Sequence, residues 1–520
     1  MFRFRSWVLA ACLPTLLACG GGLTVAQDIQ TMPAKAEKPK EVQSLNNPAM
    51  AMAFMSPPNK DALFNRKQQR VRDHHRPTPI KGLPAGAMAA PPQPLVAATP
   101  VTTTVTPKAT STVRLTVNRV LADAETNNDT STVSEPSVAV RGAEVLVTAN
   151  WFAAFSKNAG ATFTYLNPAN TFPDSPQGGF CCDQVVLYDK AHDVMFWLLQ
   201  YVNNTSGNTL RLAVAKGADI TNQSWRYYDF TPQGVGNWAQ EWFDFPDLTL
   251  SGKYLYLSSN AFGTTGDEAF KRSALLRLPL DKLAAYDGFD YQYFSTAELG
   301  SLRATQGAKD TVYFGAQLSL AAIRVYTWPE AGTAITPNDV AVQAWSNNGR
   351  VAPGPDGRDW LGRADGRITA AWVSGDKIGF AWTAAQDDTF AYPHVRVALV
   401  DKNTKAVAGQ PHIWNNNFAF AYPAAGPNAD GRVGVAVHYG GNNLYPSHSV
   451  GVLTPTNTWD LVTTAAGRFG PNDNRWGDYG AVRTDGGDPK AWAATGFTLR
   501  TGPLRTDVEV RYVRFHLAGN

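Results

Sequence analysis

The sequence predicts an all-β fold, a β-propeller of seven blades with four antiparallel strands each. Three observations carry that expectation. Between Glu135 and Tyr479 one kind of unit recurs seven times, a short buried-type strand, a second apolar strand and two further strand-like runs, at a period of about 50 residues. Gly (44 residues) and Phe, Trp and Tyr (11% together) suit many short strands joined by tight turns better than helices. Finally, the last unit supplies three strands and a matching period-two strand stands upstream of the first, so one sheet can be completed from both termini.

Length and charge agree with a radial repeat. A chain of 520 residues is too long for one ordinary compact core. Lys and Arg (46) nearly balance Asp and Glu (43), which removes the electrostatic reason to expect nucleic acid.

The first residues read as an export signal, with Arg3 and Arg5 ahead of the short apolar run Trp7 to Leu17. Leu16-Leu17-Ala18-Cys19 resembles the lipobox of bacterial lipoproteins, which implies a signal over 1–18, lipidation of Cys19 and, with Gly20 following, anchoring to the outer membrane through lipid alone. The alternative is a plain secretory signal cleaved near Ala26. Residues 19–110, rich in Ala, Pro and Thr, read as a disordered tether spanning on the order of 50 Å. Its basic cluster, Arg66 to Arg76, is a solvated charge run and is assigned no site.

The propeller occupies 111–520. Inner strands are expected at Pro136 to Val140, Asp183 to Tyr188, Pro246 to Leu250, Leu302 to Gln306, Ile368 to Val373, Ala419 to Ala425 and Tyr479 to Thr484. Second strands follow at Val145, Met195, Tyr254, Thr311, Lys377, Val433 and Ala491. Val113 to Val117 then completes the last blade beside the C-terminal strand and closes the ring. Six blades is the alternative if one unit is split wrongly. A monomer is expected.

Ser156-Lys157-Asn158-Ala159-Gly160-Ala161-Thr162-Phe163 is similar to the Asp-box (BNR repeat) of sialidase-like propellers, Ser-x-Asp-x-Gly-x-Thr-Trp, with Asn and Phe replacing Asp and Trp. The resemblance implies a structural turn: the Asn side chain caps a hairpin, Gly160 takes a left-handed conformation and the aromatic packs between sheets. It also implies where sialidase chemistry would lie, in an arginine triad for a substrate carboxylate, a Tyr nucleophile activated by Glu and an Asp acid/base. By position, Arg303, Arg363 and Arg475 are the triad candidates, and Tyr422, Tyr479, Glu135 and Asp183 the catalytic candidates. The Phe/Tyr-Arg-Ile-Pro opening of true sialidases is absent.

In a propeller the segments leading into the inner strands gather at one end of the axial channel. They bring Glu135, Asp183, Trp242, Asp244, Asp247, Arg303, Arg363, Asp365, Tyr422, Arg475, Trp476, Asp478 and Tyr479 to one mouth. Mixed acidic, cationic and aromatic groups suit a polar ligand with flat faces, sugar above all. The competing reading packs Trp242, Trp476 and Tyr479 between blades and pairs the charges across the channel. Asp183, Asp244, Asp247 and Asp478 are the candidate ligands should Ca²⁺ bind, but no calcium-loop pattern and no zinc pattern is present, and no cofactor is predicted.

Cys181 and Cys182 remain once the signal is removed and Cys19 carries lipid. In an oxidising compartment they form a disulfide with each other, stay as buried thiols, or pair with another molecule. The function expected is binding of a glycan or protein at the mouth without catalysis. A sialidase-like exo-glycosidase or lyase and an envelope assembly scaffold are the alternatives.

Overall fold

The computed structural model describes residues 30–34, 104–108, 111–121, 130–266 and 268–519. Cys19 and most of the expected tether lie outside them; within that stretch Gln30–Ala34 pairs antiparallel with the outer strand of the third blade, and near its end Val105 is buried and Lys108 bridges Val462 of the sixth blade, so these parts are ordered against the propeller and not a free tether.

Seven four-stranded antiparallel sheets follow one another along the described residues, the third extended by Gln30–Ala34. Their inner strands are Ser137–Arg141, Phe180–Asp189, Glu241–Leu250, Arg303–Ala304, Ile368–Ser374, Ala419–Pro427 and Val482–Thr484. Each inner strand packs on the next and the seventh packs on the first, so the sheets form a ring. The chain is a seven-bladed β-propeller. The six-bladed alternative is excluded.

Closure follows the sequence expectation. Blade 7 takes Val482–Thr484, Trp492–Leu499 and Val508–Leu517 from the C-terminus and Val113–Val120 from upstream of blade 1. Two inner strands are shorter than expected because their backbone groups bond elsewhere. In blade 4, Gln306 N–H donates to the Ala371 carbonyl of blade 5 at 2.9 Å, so the strand leaves its own ladder to bridge its neighbour. In blade 7, Ala481 N–H donates to the Thr495 hydroxyl at 3.1 Å and the ladder begins only at Val482.

There is no single core. Seven apolar clusters lie mainly between adjacent blades, from the blade 1–2 cluster around Trp197 and Phe155 to the blade 7–1 cluster around Val147, Phe497 and Tyr512, which also takes in Ala419, Ala421 and Tyr422 of blade 6. Every sheet is therefore covered on both faces, which explains near-continuous apolar strands such as Val194–Tyr201, where all eight residues are buried. Burial of each large side chain in these seams contributes roughly 1.5–3 kcal/mol. Close approach is achieved by small residues: a Cβ on Gly496 would lie 2.2 Å from the His448 ring of blade 6.

The Ser156–Phe163 turn joins the third and fourth strands of blade 1. Ser156 Oγ donates to Asn158 Oδ1 and accepts from Gly160 N–H, while Asn158 Oδ1 accepts from Thr162 N–H. Gly160 has φ +86°, and an added Cβ there would strike Tyr512 at 2.5 Å. Phe163 meets the same Tyr512 edge-on across the seam to blade 7. The turn holds blade 1 to the closing blade at the outer hairpin, away from the inner strands.

Candidate functional site at the channel mouth

Three of the segments leading into inner strands share a local device. Glu135, Phe245 and Tyr422 each have positive φ (47°, 58° and 55°) and each precedes a proline. At Phe245-Pro246 and Tyr422-Pro423 the pairing register shifts, so these residues form bulges on the inner strands of blades 3 and 6. Proline cannot donate to a ladder and is tolerated at such bulges, while the left-handed residue before it turns its side chain out of the alternating pattern. A backbone held in this region costs of order 1–3 kcal/mol per residue and persists where surroundings over-determine it, often at functional sites.

The side chains so delivered meet others from different blades. Tyr479 of blade 7 donates to Asp183 of blade 2 at 3.1 Å. Arg363, ahead of blade 5, contacts Asp478, ahead of blade 7, at 2.8 Å. Asp247 of blade 3 accepts from Arg303 of blade 4 at 2.5 Å and faces Arg483 of blade 7 at 3.6 Å. Asp244 accepts from Gln200 Nε2 of blade 2 at 2.9 Å. Arg367 pairs with Asp365 at 2.5 Å, and Arg367 and Arg303 both lie over the Phe245 ring, 4.5 and 5.0 Å from its centroid. Glu135 accepts from Asn150 Nδ2 at 2.7 Å and acts electrostatically on Arg363 and Tyr479.

Both candidate tyrosines are held protonated. Burial first, and then the Asp183 carboxylate, pushes the Tyr479 phenol well above its ordinary pKa. Burial and the nearby Asp478 do the same to Tyr422. At neutral pH each is a hydrogen-bond donor. The Tyr422 hydroxyl is buried and has no hydrogen-bond partner among the described residues.

Glu135, Asp183, Asp244, Asp247, Arg303, Arg363, Tyr422, Asp478 and Tyr479 thus join one axial network. Three expected mouth residues do not present themselves as a ligand surface. Trp242 is buried against Phe262 and its indole donates to the Gly263 carbonyl at 3.1 Å. Trp476 is fully buried, stacked on Phe497 of blade 7 and edge-on to Trp360 and to His438 of blade 6. Arg475 is buried, its backbone N–H bonded to Asp473. Trp242 packs within blade 3 and Trp476 between blades, because a large flat ring gains more when buried than at a wet rim. Nor do Arg303 and Arg363 converge as a triad: they engage different carboxylates, Asp247 and Asp478.

Asp183, Asp244, Asp247 and Asp478 each face a protein donor, and among the described residues no group of three His, Cys, Asp or Glu side chains is arranged to hold a metal ion. Cys181 and Cys182 are joined by a disulfide immediately before Asp183, where the inner strand of blade 2 shifts register between Phe180 and Gln184.

No protein-family profile matches the sequence, and no curated protein matches it in sequence. Solved structures do match in shape. An α-L-arabinanase of Penicillium chrysogenum, solved with arabinobiose, is 8% identical with a TM-score of 0.39 over 78% of this chain and 99% of its own. An α-L-arabinofuranosidase of Fusarium graminearum is 9% identical with a TM-score of 0.38 over 78% and 99%. A protein of unknown function from Dyadobacter fermentans is 10% identical with a TM-score of 0.40 over the same shares.

Sequence reasoning misses Arg367, Arg483 and Gln200. The signal for the two arginines is their setting: each interrupts or borders an otherwise apolar inner strand, where an unpaired charge is costly.

Proposed function

We propose that this protein binds a glycan through the channel mouth without breaking a bond, as a lipid-anchored, extracytoplasmic propeller. The observation that carries the reading is the Tyr422 hydroxyl, a donor held protonated at the mouth with no protein partner, beside Arg363 and Asp478 whose charges bear on it. A buried polar group without a partner calls for an explanation, and a sugar hydroxyl supplies one. Beside it Arg363 pairs with Asp478, and elsewhere at the mouth Tyr479 pairs with Asp183 and Gln200 with Asp244, a set of fixed donors and acceptors. Such groups recognise hydroxyls by geometry, and because the Tyr422 hydroxyl is closed to solvent the ligand reaches it by a local opening of the mouth. With Trp242 and Trp476 buried, recognition rests on hydrogen bonds more than on stacking.

A second reading, an exo-acting glycosidase or lyase of sialidase-like type, is favoured by one observation. Tyr479 donates directly to Asp183 with Glu135 close enough to act on it, an arrangement able to take a proton from a phenol nucleophile. The upward displacement of the Tyr479 pKa works against that role.

A glycan array run beside fluorogenic glycoside substrates, sialosides included, separates the readings. Binding without turnover, lost in Tyr422→Phe, supports the first. Turnover lost in Tyr479→Phe supports the second. No glycan signal and no turnover would sink both and leave a scaffold role. The anchoring part of the proposal rests on Leu16-Leu17-Ala18-Cys19 and is tested by metabolic labelling with palmitate: incorporation should vanish in Cys19→Ser.

A further inference from the structure

At the opposite end of the axis from the mouth lies a concavity. It has a volume of about 180 Å³ and is lined by the trailing ends of inner strands, including Val140, Tyr188, Leu250, Pro427 and Arg483, with Gln306. Inner strands run in one direction around the ring, so their trailing ends share the face away from Glu135 and Asp183. This cavity therefore opens away from Glu135 and Asp183, and it is joined to the mouth network through Arg483, which shares Asp247 with Arg303.

Its polar side chains are unequal. Tyr188 donates to Asp193, Gln306 to the Leu248 carbonyl and Thr484 to the Pro427 carbonyl, so each is already engaged by protein. Arg483 differs. Its charged end is 3.6 Å from Asp247, a long ion pair, and its Nε is buried with no hydrogen-bond partner. Asp247 is meanwhile engaged at 2.5 Å by Arg303, whose side chain is 6% exposed and whose Nε and Nη2 also have no partner. Two guanidiniums thus share one carboxylate beside the cavity, leaving a buried excess of one positive charge and three buried donor nitrogens without a partner. Burial lowers the Arg483 pKa and Arg303 lowers it further, against the pull of Asp247, as expected for a cation short of counter-charge. Buried charges in proteins are normally paired and hydrogen-bonded.

We propose that the trailing-end cavity is a binding site for a small oxyanion, a carboxylate or phosphate, held by Arg483 with Arg303 behind it. Guanidinium recognises both anions through paired N–H donors. The walls, formed by Val140, Leu187, Leu250 and Pro427, are apolar and restrict the ligand to a compact body carrying its charge at one end. An apolar cavity of about 150 Å³ is known to hold a benzene-sized molecule, so a free anion of comparable size fits, whereas a polymer can insert only a terminal group.

The test uses the full chain. Thermal unfolding is followed while inorganic phosphate, acetate or benzoate is titrated, against chloride at matched ionic strength. The expected result is a saturable rise in melting temperature with one or more oxyanions and none with chloride. Two variants localise it. Arg483→Met removes the guanidinium and should weaken binding at least about tenfold. Ala308→Trp fills the cavity from its partly exposed rim, leaves both arginines in place and should abolish the saturable rise. Phosphate and carboxylate arms distinguish the source of the anion. A rise of equal size in both variants, or no saturable rise in the wild type with any oxyanion, overturns the proposal. Should Arg483→Met fail to fold, Ala308→Trp alone decides.

Discussion

The phenol of Tyr479, in the last blade, donates a 3.1 Å hydrogen bond to Asp183 in the second, with blade 1 between them. Arg363 to Asp478 skips blade 6 in the same way, and Arg483 to Asp247 spans from blade 7 to blade 3. Apolar seams fasten each blade to its neighbours, whereas these polar pairs fasten non-neighbours around the axis. The mouth is consequently a product of ring closure, and its chemistry and the stability of the wheel are coupled.

Tyr479→Phe and Tyr422→Phe should differ sharply. Loss of the Tyr479 hydroxyl takes a donor from a buried carboxylate and is expected to cost about 1–3 kcal/mol in urea unfolding. The Tyr422 hydroxyl has no protein partner, so its removal should leave stability unchanged or raise it by up to about 1 kcal/mol. Ligand affinity at the mouth should fall in both. A Tyr422→Phe protein as unstable as Tyr479→Phe would contradict the assignment of its hydroxyl.

Removing residues 111–120 should abolish a single cooperative transition in calorimetry. These residues supply the fourth strand of blade 7 and pair with Val508–Leu517 along its length. Without them Val508–Leu517 becomes the exposed edge of the closing sheet, and the seams lose the packing of Leu115 and Val117. An unchanged endotherm would show that closure does not depend on this strand.

Acid should destabilise the wheel well before its carboxylates titrate. Burial depresses His394 and His438 to about 3 and holds His412 and His448 well below their ordinary value. In the unfolded chain these imidazoles take up protons near pH 6.5. Between that value and the folded pKa the unfolded state binds more protons, so stability present in full above pH 6.5 is lost as pH falls. The slope is about 1.4 kcal/mol per pH unit for each histidine. Urea midpoints from pH 7 to pH 5 test it, and His438→Phe should make the fall shallower.

Gly496→Ala should destabilise by about 1–3 kcal/mol, the usual penalty for overfilling a packed seam. The new methyl would lie 2.2 Å from the His448 ring, whose Nδ1 is tied to Thr464 at 2.6 Å and which therefore has little room to retreat. A variant that melts with the wild type would mean that blades 6 and 7 are packed less closely than described.

Intact mass after alkylation should show no label on Cys181 or Cys182 without reductant and two labels after it. Since the pair immediately precedes Asp183, reduction should also change affinity at the mouth more than it changes melting temperature. Two labels before reduction would rule the bond out.

Much of the wheel is legible in the chain because its cause is local. Ser137–Arg141, Val194–Tyr201 and Val433–Gly441 are runs that only a sheet covered on both faces can bury, and the period of the runs sets the number of blades. The strand at Val113–Val120 is likewise visible, as the one piece the last unit lacks. The site is legible only in part. Position places Glu135, Asp183, Arg363 and Tyr479 at the mouth, yet nothing local distinguishes Trp476, which is drawn into a seam, from Tyr479, which reaches across the axis.

What the sequence determined by itself is the repeat, the strand order and the closing strand, since alternation, turn residues and apolar runs act over a few positions. Tertiary structure alone decided which charges meet: Tyr479 and Asp183 are 296 positions apart, and Arg483 has Asp247 for a partner only because a ring returns the chain to its own beginning. Hydrogen bonds and ion pairs act over about 3–4 Å, a distance that folding sets and sequence separation does not.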